Sequence, residues 1–272
     1  MTLRDIKEEL SRQQVPLSKD ISDNLMLLKE EAVSTKNETL ANEIWCIHQI
    51  FKIQSLYIQF FNQFKSKQFE ESWLTLERID TEFSFLRTNF EYTSEQYNLG
   101  FIEKKIKDWE QLYPYEFFLS RETIIKSEKC TICGKKASLR NGCEHRPGKL
   151  YMGEMCCREV MDMEFIGTAL VTNPFDKFGF IRPQDMEYNY EILELLSERL
   201  NTPYDSWHLE QSSRLRPEYH HAERNKPCPC GSETKYKKCC YGTKKELMTH
   251  NHIVLENGCK DAVPLRYIGT WK

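Results

Sequence analysis

Ten of the eleven cysteines in this 272-residue chain fall after residue 127, and that bias constrains the fold more than any other feature. The first 127 residues hold Cys46 alone. Cys130, Cys133, Cys143, Cys156 and Cys157 follow in the middle, then Cys228, Cys230, Cys239, Cys240 and Cys259. In a reducing compartment clustered cysteines serve as metal ligands more readily than as disulfides, and an odd total agrees with that reading. A cytoplasmic location is expected. No apolar run approaches the roughly 18–20 residues that cross a bilayer, and the opening MTLRDIKEEL is charged where a signal peptide needs its apolar stretch. With 40% hydrophobic and 29% charged residues, the composition excludes a wholly disordered or collagen-like chain. A chain of this length can build a core without metal, so any need for metal is local.

Charge divides the chain as cysteine does. Residues 1–127 carry 16 basic and 21 acidic side chains, residues 128–222 carry 12 and 15, and residues 223–272 carry 10 and 5. The C-terminal end is the basic end. The expected fold class is α+β: a helical domain (1–127), a central zinc domain with a small antiparallel sheet and a helix (128–200), an extended connector (201–223), a basic zinc module (224–245) and a C-terminal hairpin or tail (246–272).

Over 44–64 apolar residues recur at spacings of three and four, as a buried helix face requires, and neither Pro nor Gly occurs from 17 to 99. Helices over 18–33, 44–64, 68–90 and 94–113, with Pro114 as a stop, predict an antiparallel bundle. Its aromatic stripe, including Trp45, Phe51, Tyr57, Phe60, Phe64 and Trp73, reads as packing rather than a ligand groove. After Ser127 short β-favouring runs at 149–152, 161–165, 168–172 and 178–181, separated by Gly and Asn-Pro, predict the sheet, and 183–200 the helix. The segment 252–263 reads as a hairpin turning at Asn257-Gly258, with Cys259 a free core thiol.

Two cysteine sets have zinc-ligand spacing. In the first, Cys130-x-x-Cys133-Gly134 forms a knuckle. Cys143-x-His145, after the Asn141-Gly142 turn signal, supplies the second pair. Cys156 or Cys157 could replace one of these four. In the second set, Cys228-x-Cys230 and Cys239-Cys240 stand eight residues apart, with Pro227 and Pro229 stiffening the first pair and Gly231 permitting a turn. Four soft donors suit tetrahedral zinc. Seven basic residues and one acidic lie between 224 and 245, so the module stays near +4 in formal charge after zinc and four thiolates are counted.

This second stretch closely resembles the SEC-C motif, the zinc-binding tail of the SecA preprotein translocase ATPase that also occurs on many otherwise unrelated bacterial proteins. Pro227, Cys228, Cys230, Gly231, Ser232, Lys235, Tyr236, Lys237, Lys238, Cys239 and Cys240 match its pattern, whereas Glu233 and Thr234 replace a frequent Gly-Lys. The resemblance implies zinc at the four cysteines and a tail that docks other proteins or the ribosome. The chain has no sign of the translocase's nucleotide-binding motifs. Residues 130–180 resemble a zinc-associated region of bacterial and phage-related proteins, which in phage proteins can accompany prohead-protease-like domains. That resemblance carries ligand roles onto Cys130, Cys133, Cys143 and His145 and transfers no catalytic residue.

Catalytic signatures are missing. There is no His-Glu-x-x-His and no deaminase signature. The stretch 142–149 has the wrong glycine spacing for a phosphate loop, with Leu150 where a magnesium-binding hydroxyl belongs. Cys46 and His48, two apart on a helix, point in different directions. His220, His221, His250 and His252 read as solvated loop histidines. The expected function is a non-enzymatic, two-zinc adaptor whose Lys235, Tyr236, Lys237 and Lys238 contact a protein, ribosome or RNA partner. The alternative is a zinc-dependent hydrolase or nuclease-like enzyme of a mobile element or defence system.

Overall fold

The computed structural model describes residues 1–256 except 13–15, 19, 139, 183 and 185. The chain divides into two compact units, one spanning Met1–Tyr204 and one beginning at Asp205. Helix and sheet are both present, with a cysteine cluster in each unit. No helix among the described residues is long and apolar enough to cross a membrane.

The first unit is built on α3 (Glu38–Lys65), flanked by α2 (Asp20–Ser34) and α4 (Phe69–Arg87). Three-residue connections force these neighbours antiparallel. Ile44, Ile47, Ile50, Tyr57, Phe60 and Phe64 of α3 are all at most 1% exposed. At about 1.5–3 kcal/mol for each large apolar side chain removed from water, this stripe holds the bundle. The expected aromatic packing is found: Trp109 lies edge-on to Phe60 at 5.3 Å and against Phe64 at 4.6 Å. An additional α1 (Leu3–Leu10) carries a capping box in which Thr2 Oγ1 accepts from the Asp5 N–H and the Asp5 carboxylate accepts from the Thr2 N–H.

The helix expected over 94–113 is shorter. A 3-10 turn at Gln96–Asn98 precedes α5 (Leu99–Glu110), because Tyr97 and Asn98 take left-handed φ of 54° and 58°. The buried Gln54 carboxamide donates to Tyr97 O at 2.7 Å, and a Cβ on Gly100 would stand 2.6 Å from Ser94 O. Only glycine admits that close approach.

From Phe118 the chain becomes extended, inside the stretch read as helical. Strand β1 (Phe118–Cys130) pairs antiparallel with β4 (Arg158–Val171), so the separate runs expected at 161–165 and 168–172 form one strand. The minimal β2 (Leu150–Tyr151) and β3 (Glu154–Met155) make a second hairpin. Residues 178–181 give a 3-10 turn at Lys177–Gly179 and a single bridge from Phe118 to Phe180. The helix expected over 183–200 is α6 (Glu191–Arg199). Tyr188 and Tyr190 are drawn instead into an aromatic cluster, with Tyr115 stacked on Phe180 at 4.1 Å and the Tyr115 and Tyr190 hydroxyls 2.9 Å apart.

In the second unit, β5 (Trp207–Leu215) pairs antiparallel with β6 (Leu247–Leu255) along their whole length. The stretch read as an extended connector therefore contains a strand. Residues 252–255 belong to a hairpin, but they pair backward with β5. Alternation of Trp207, Leu209 and Leu215 with polar residues was too weak a signal to separate strand from linker. The proposed turn at Asn257-Gly258 and Cys259 lie outside the described residues. Everything between β5 and β6 is the second cysteine loop, so the ribbon clamps that loop at both ends.

Candidate metal centres

The first centre forms at the end of β1. Cys130 is its last residue, and the chain then reverses through Gly134, whose φ is +71° and whose N–H donates to Cys130 O at 2.8 Å. Lys135 O accepts from the Cys130 N–H, closing the knuckle. A second loop brings Cys143 and His145 alongside. Tyr151 of β2 fixes that loop: its hydroxyl accepts from the Arg146 N–H at 2.9 Å, and its ring meets the His145 ring edge-on at 4.6 Å.

The structure brings together Cys130, Cys133, Cys143 and His145, with one donor atom from each inside 4.8 Å of all the others. Tetrahedral zinc with bonds of about 2.3 Å to sulfur places donors roughly 3.8 Å apart. The cluster is thus compact enough for a four-ligand site. His145 Nδ1 is buried without a hydrogen-bond partner, an arrangement that costs free energy unless a cation fills the space. Although burial opposes it, the Cys133 and Ile132 backbone N–H groups bring the Cys130 thiol down to about 6, so it offers the thiolate a metal needs. Cys156 is buried with its sulfur 3.7 Å from that of Cys130, and burial raises its thiol to about 11. Cys157 is exposed; its backbone N–H donates to Thr131 Oγ1 at 2.8 Å. Of the two residues kept open as alternatives, Cys156 thus has its sulfur at donor distance from Cys130, and neither is among the four donors that meet within 4.8 Å.

The second centre is the loop between β5 and β6. Cys228 donates its N–H to Thr234 O, the Tyr236 N–H reaches Lys226 O, and the Lys237 N–H reaches Arg224 O, which lays one half of the loop on the other. Gly231 at φ +80° and Glu233 at φ +56° make the reversal. Cys228, Cys230, Cys239 and Cys240 meet with all four sulfurs within 4.8 Å. Cys239 lies 3.5 Å from Cys230 and 3.7 Å from Cys240, the spacing a tetrahedral zinc sets. Ser232 Oγ sits 3.2 Å from Cys230 Sγ and 3.1 Å from Cys239 Sγ. Its hydroxyl and backbone N–H hold the Cys230 thiol down to about 6.

Tyr236 departs from expectation. It is 3% exposed, packed among Tyr219, Cys228 and Cys240, and its hydroxyl donates to the Glu246 carboxylate. It supports the loop instead of presenting itself to a partner, because the 3-10 turn at Tyr236–Lys238 directs it inward. Lys235, Lys237 and Lys238 are exposed, as are Arg224, Lys226, Lys244 and Lys245. The exposed aromatic is Tyr241, at 45%, with the Arg224 guanidinium 4.6 Å above its ring. Sequence reading missed Tyr219, which hydrogen-bonds the Cys240 sulfur and whose phenol is pushed up as a result. It also missed Glu246, which accepts from the Gly242 N–H at 2.8 Å. Nothing in their sequence neighbourhoods singles either out. His250 lies buried and His252 on β6, outside both donor clusters. Cys46 is a buried thiol raised to about 11 by burial.

A family model, the SEC-C motif, matches residues 224–242, the loop that gathers the second centre. No curated protein and no solved structure matches the chain.

Proposed function

We propose that the protein is a non-enzymatic adaptor of the cytoplasm that binds two zinc ions and docks a protein, ribosome or RNA partner through its basic C-terminal module. The carrying observation is the combination of a four-sulfur cluster with a shell of exposed cations. Four protein donors close a zinc site, as in structural zinc, whereas a catalytic zinc keeps a position for water. We assign the ions to Cys130, Cys133, Cys143 and His145 within a 128–200 module, and to Cys228, Cys230, Cys239 and Cys240 within a 224–245 module. Each loop is too small to bury much apolar surface, so binding free energies of about 10–16 kcal/mol for structural zinc are the natural source of its stability.

Lys235, Lys237 and Lys238, with Arg224 and Tyr241, form the contact surface; Tyr236 holds it from behind. The test compares capture by the tagged full-length chain with capture by its Cys239→Ser and triple Lys235/Lys237/Lys238→Ala variants, after the metal content of each is measured. The reading predicts loss of the partner in both, with zinc retained in the lysine variant. A partner kept by both variants contradicts it. An RNA partner dissociates steeply between 50 and 200 mM salt, since each phosphate contact releases counterions, while a protein partner responds mildly. The hydrolase or nuclease alternative requires a metal with an open position. X-ray absorption showing three protein ligands and an oxygen at either zinc would favour it.

A further inference from the structure

The β1/β4 ribbon is buried only at its ends, at Phe118 and Cys130, while its middle exposes large apolar side chains. The register sorts them by face. Leu119 opposes Leu170, Arg121 opposes Thr168, Thr123 opposes Phe165 and Ile125 opposes Met163; residues paired across the ribbon share a face, and the bulge between the Glu122 and Thr123 pairs, which leaves Ile166 unpaired, keeps this set together. That face is apolar at both ends and roofed at one side by the turn carrying Phe175 and Phe178, which leaves a groove of about 820 Å³. The opposite face carries Ser120, Glu122 and Ile124 with Ala169, Gly167 and Glu164 across the ribbon, so that Ile124, 53% exposed, is the one large apolar side chain among these six. On the apolar face Leu119 is 50%, Ile125 51%, Met163 64%, Phe165 60% and Leu170 60% exposed. A lone two-stranded hairpin is marginal in water unless its apolar face is covered or its edges are extended.

We propose that this face is covered by the same face of a second copy, in a two-fold symmetric dimer. The face is self-complementary when reversed end to end. The Leu119/Leu170 end of one copy meets the Ile125/Met163 end of the other, and the Arg121/Thr168 pair meets the Thr123/Phe165 pair. Each Arg121 guanidinium, 3.9 Å from the Asp176 carboxylate on a side chain 74% exposed, then lies over the Phe165 ring of the partner copy, twice by symmetry. Area supports this occupant. At on the order of 60–120 Å² of apolar surface per large side chain, the exposed parts of the five residues with Phe175 and Phe178 make a patch of roughly 400 Å². With the polar atoms of Arg121, Thr123 and Thr168 between them, the two faces together reach the about 1,000 Å² in total that a biological interface should clear.

Sedimentation velocity on the zinc-loaded full chain at 1–100 µM, about the range where such an interface is populated, tests the assignment. The expected result is a dimer whose Kd rises at least tenfold in Phe165→Glu and in Arg121→Glu and is unchanged in Ile124→Glu on the opposite face. Circular dichroism and zinc content confirm that each variant is folded. Should Phe165→Glu fail to fold, Arg121→Glu decides, because the Arg121 side chain is 74% exposed and its ion pair with Asp176 is a surface contact of small weight in the single chain. A monomer at 100 µM, or a dimer indifferent to both substitutions, overturns the proposal. A heterologous protein bound in place of the second copy would appear as a monomer in this purified system.

Discussion

One residue in the second centre does different work from what its neighbours in sequence suggest. Tyr236 sits between basic residues but is buried against the cysteines, with its hydroxyl on Glu246. Tyr236→Phe leaves a buried carboxylate short of a donor, which costs about 1–3 kcal/mol. Thermal unfolding of the zinc-loaded protein should show this loss, while Lys237→Ala should leave stability within about 0.5 kcal/mol. Equal, small effects from both would place Tyr236 on the surface after all. Gly134 carries the knuckle reversal of the first centre at φ +71°. Nothing lies within 4 Å of a Cβ built there, so Gly134→Ala strains the backbone alone, by about 1–2 kcal/mol. Competition with a chromophoric chelator should therefore show zinc affinity at this centre reduced by about tenfold, with no loss at the other.

At the scale of elements, the packing of α4 on the Lys177–Gly179 turn makes stability depend on pH. Glu77 of α4 is buried, and burial raises its carboxyl to about 8 against the ordinary 4.5, although Lys177 works in the opposite direction and Glu110 adds to the rise. Lys177 Nζ is 2.7 Å from the Glu110 carboxylate and 4.0 Å from that of Glu77. A group whose folded pKa is raised binds more protons folded than unfolded. Its contribution is fully present below pH 4.5 and lost as pH rises through about 8. Glu77→Gln should thus gain in melting temperature relative to the unsubstituted protein as pH goes from 5 to 8.5, by an amount equivalent to about 1–3 kcal/mol. A difference that is flat with pH would mean that Glu77 is ionised in the folded state.

The bundle was legible because its signal is local: apolar residues at helical spacing in α3, and no Pro or Gly to interrupt α2 through α4. Both donor sets were legible for the same reason, since short cysteine spacings and adjacent glycines encode the loops directly. What escaped was decided by tertiary partners. Tyr97 and Asn98 break the helix in favour of the hydrogen bond from Gln54. Tyr188 and Tyr190 leave a helical run for the aromatic cluster. Strand β1 was hidden because its ribbon has no buried face to impose alternation along most of its length. Strand β5 was hidden because its partner β6 lies beyond the whole metal loop, 32 residues after β5 ends at Leu215. A period-2 pattern is sharp only where one side of the sheet is covered.

On the proposed reading, the whole molecule combines a helical core that is independent of metal with two loops that take their shape from one. In the first unit the bundle keeps its apolar core without zinc, so chelation should leave helical circular dichroism largely intact while the 130–157 region opens to proteolysis. In the second unit the buried cluster is Tyr219, Cys228, Tyr236 and Cys240 with a few partly buried neighbours, too little apolar surface to fold unaided. Removal of zinc should there expose Tyr219 and Tyr236 and abolish partner capture. The central claim is that each chain holds two zinc ions in independent four-ligand sites, and native mass spectrometry with elemental analysis tests it most directly. The account predicts two zinc ions per unsubstituted chain and one in each of Cys130→Ser and Cys228→Ser. Fewer than two in the unsubstituted protein, or two in either variant, would contradict it.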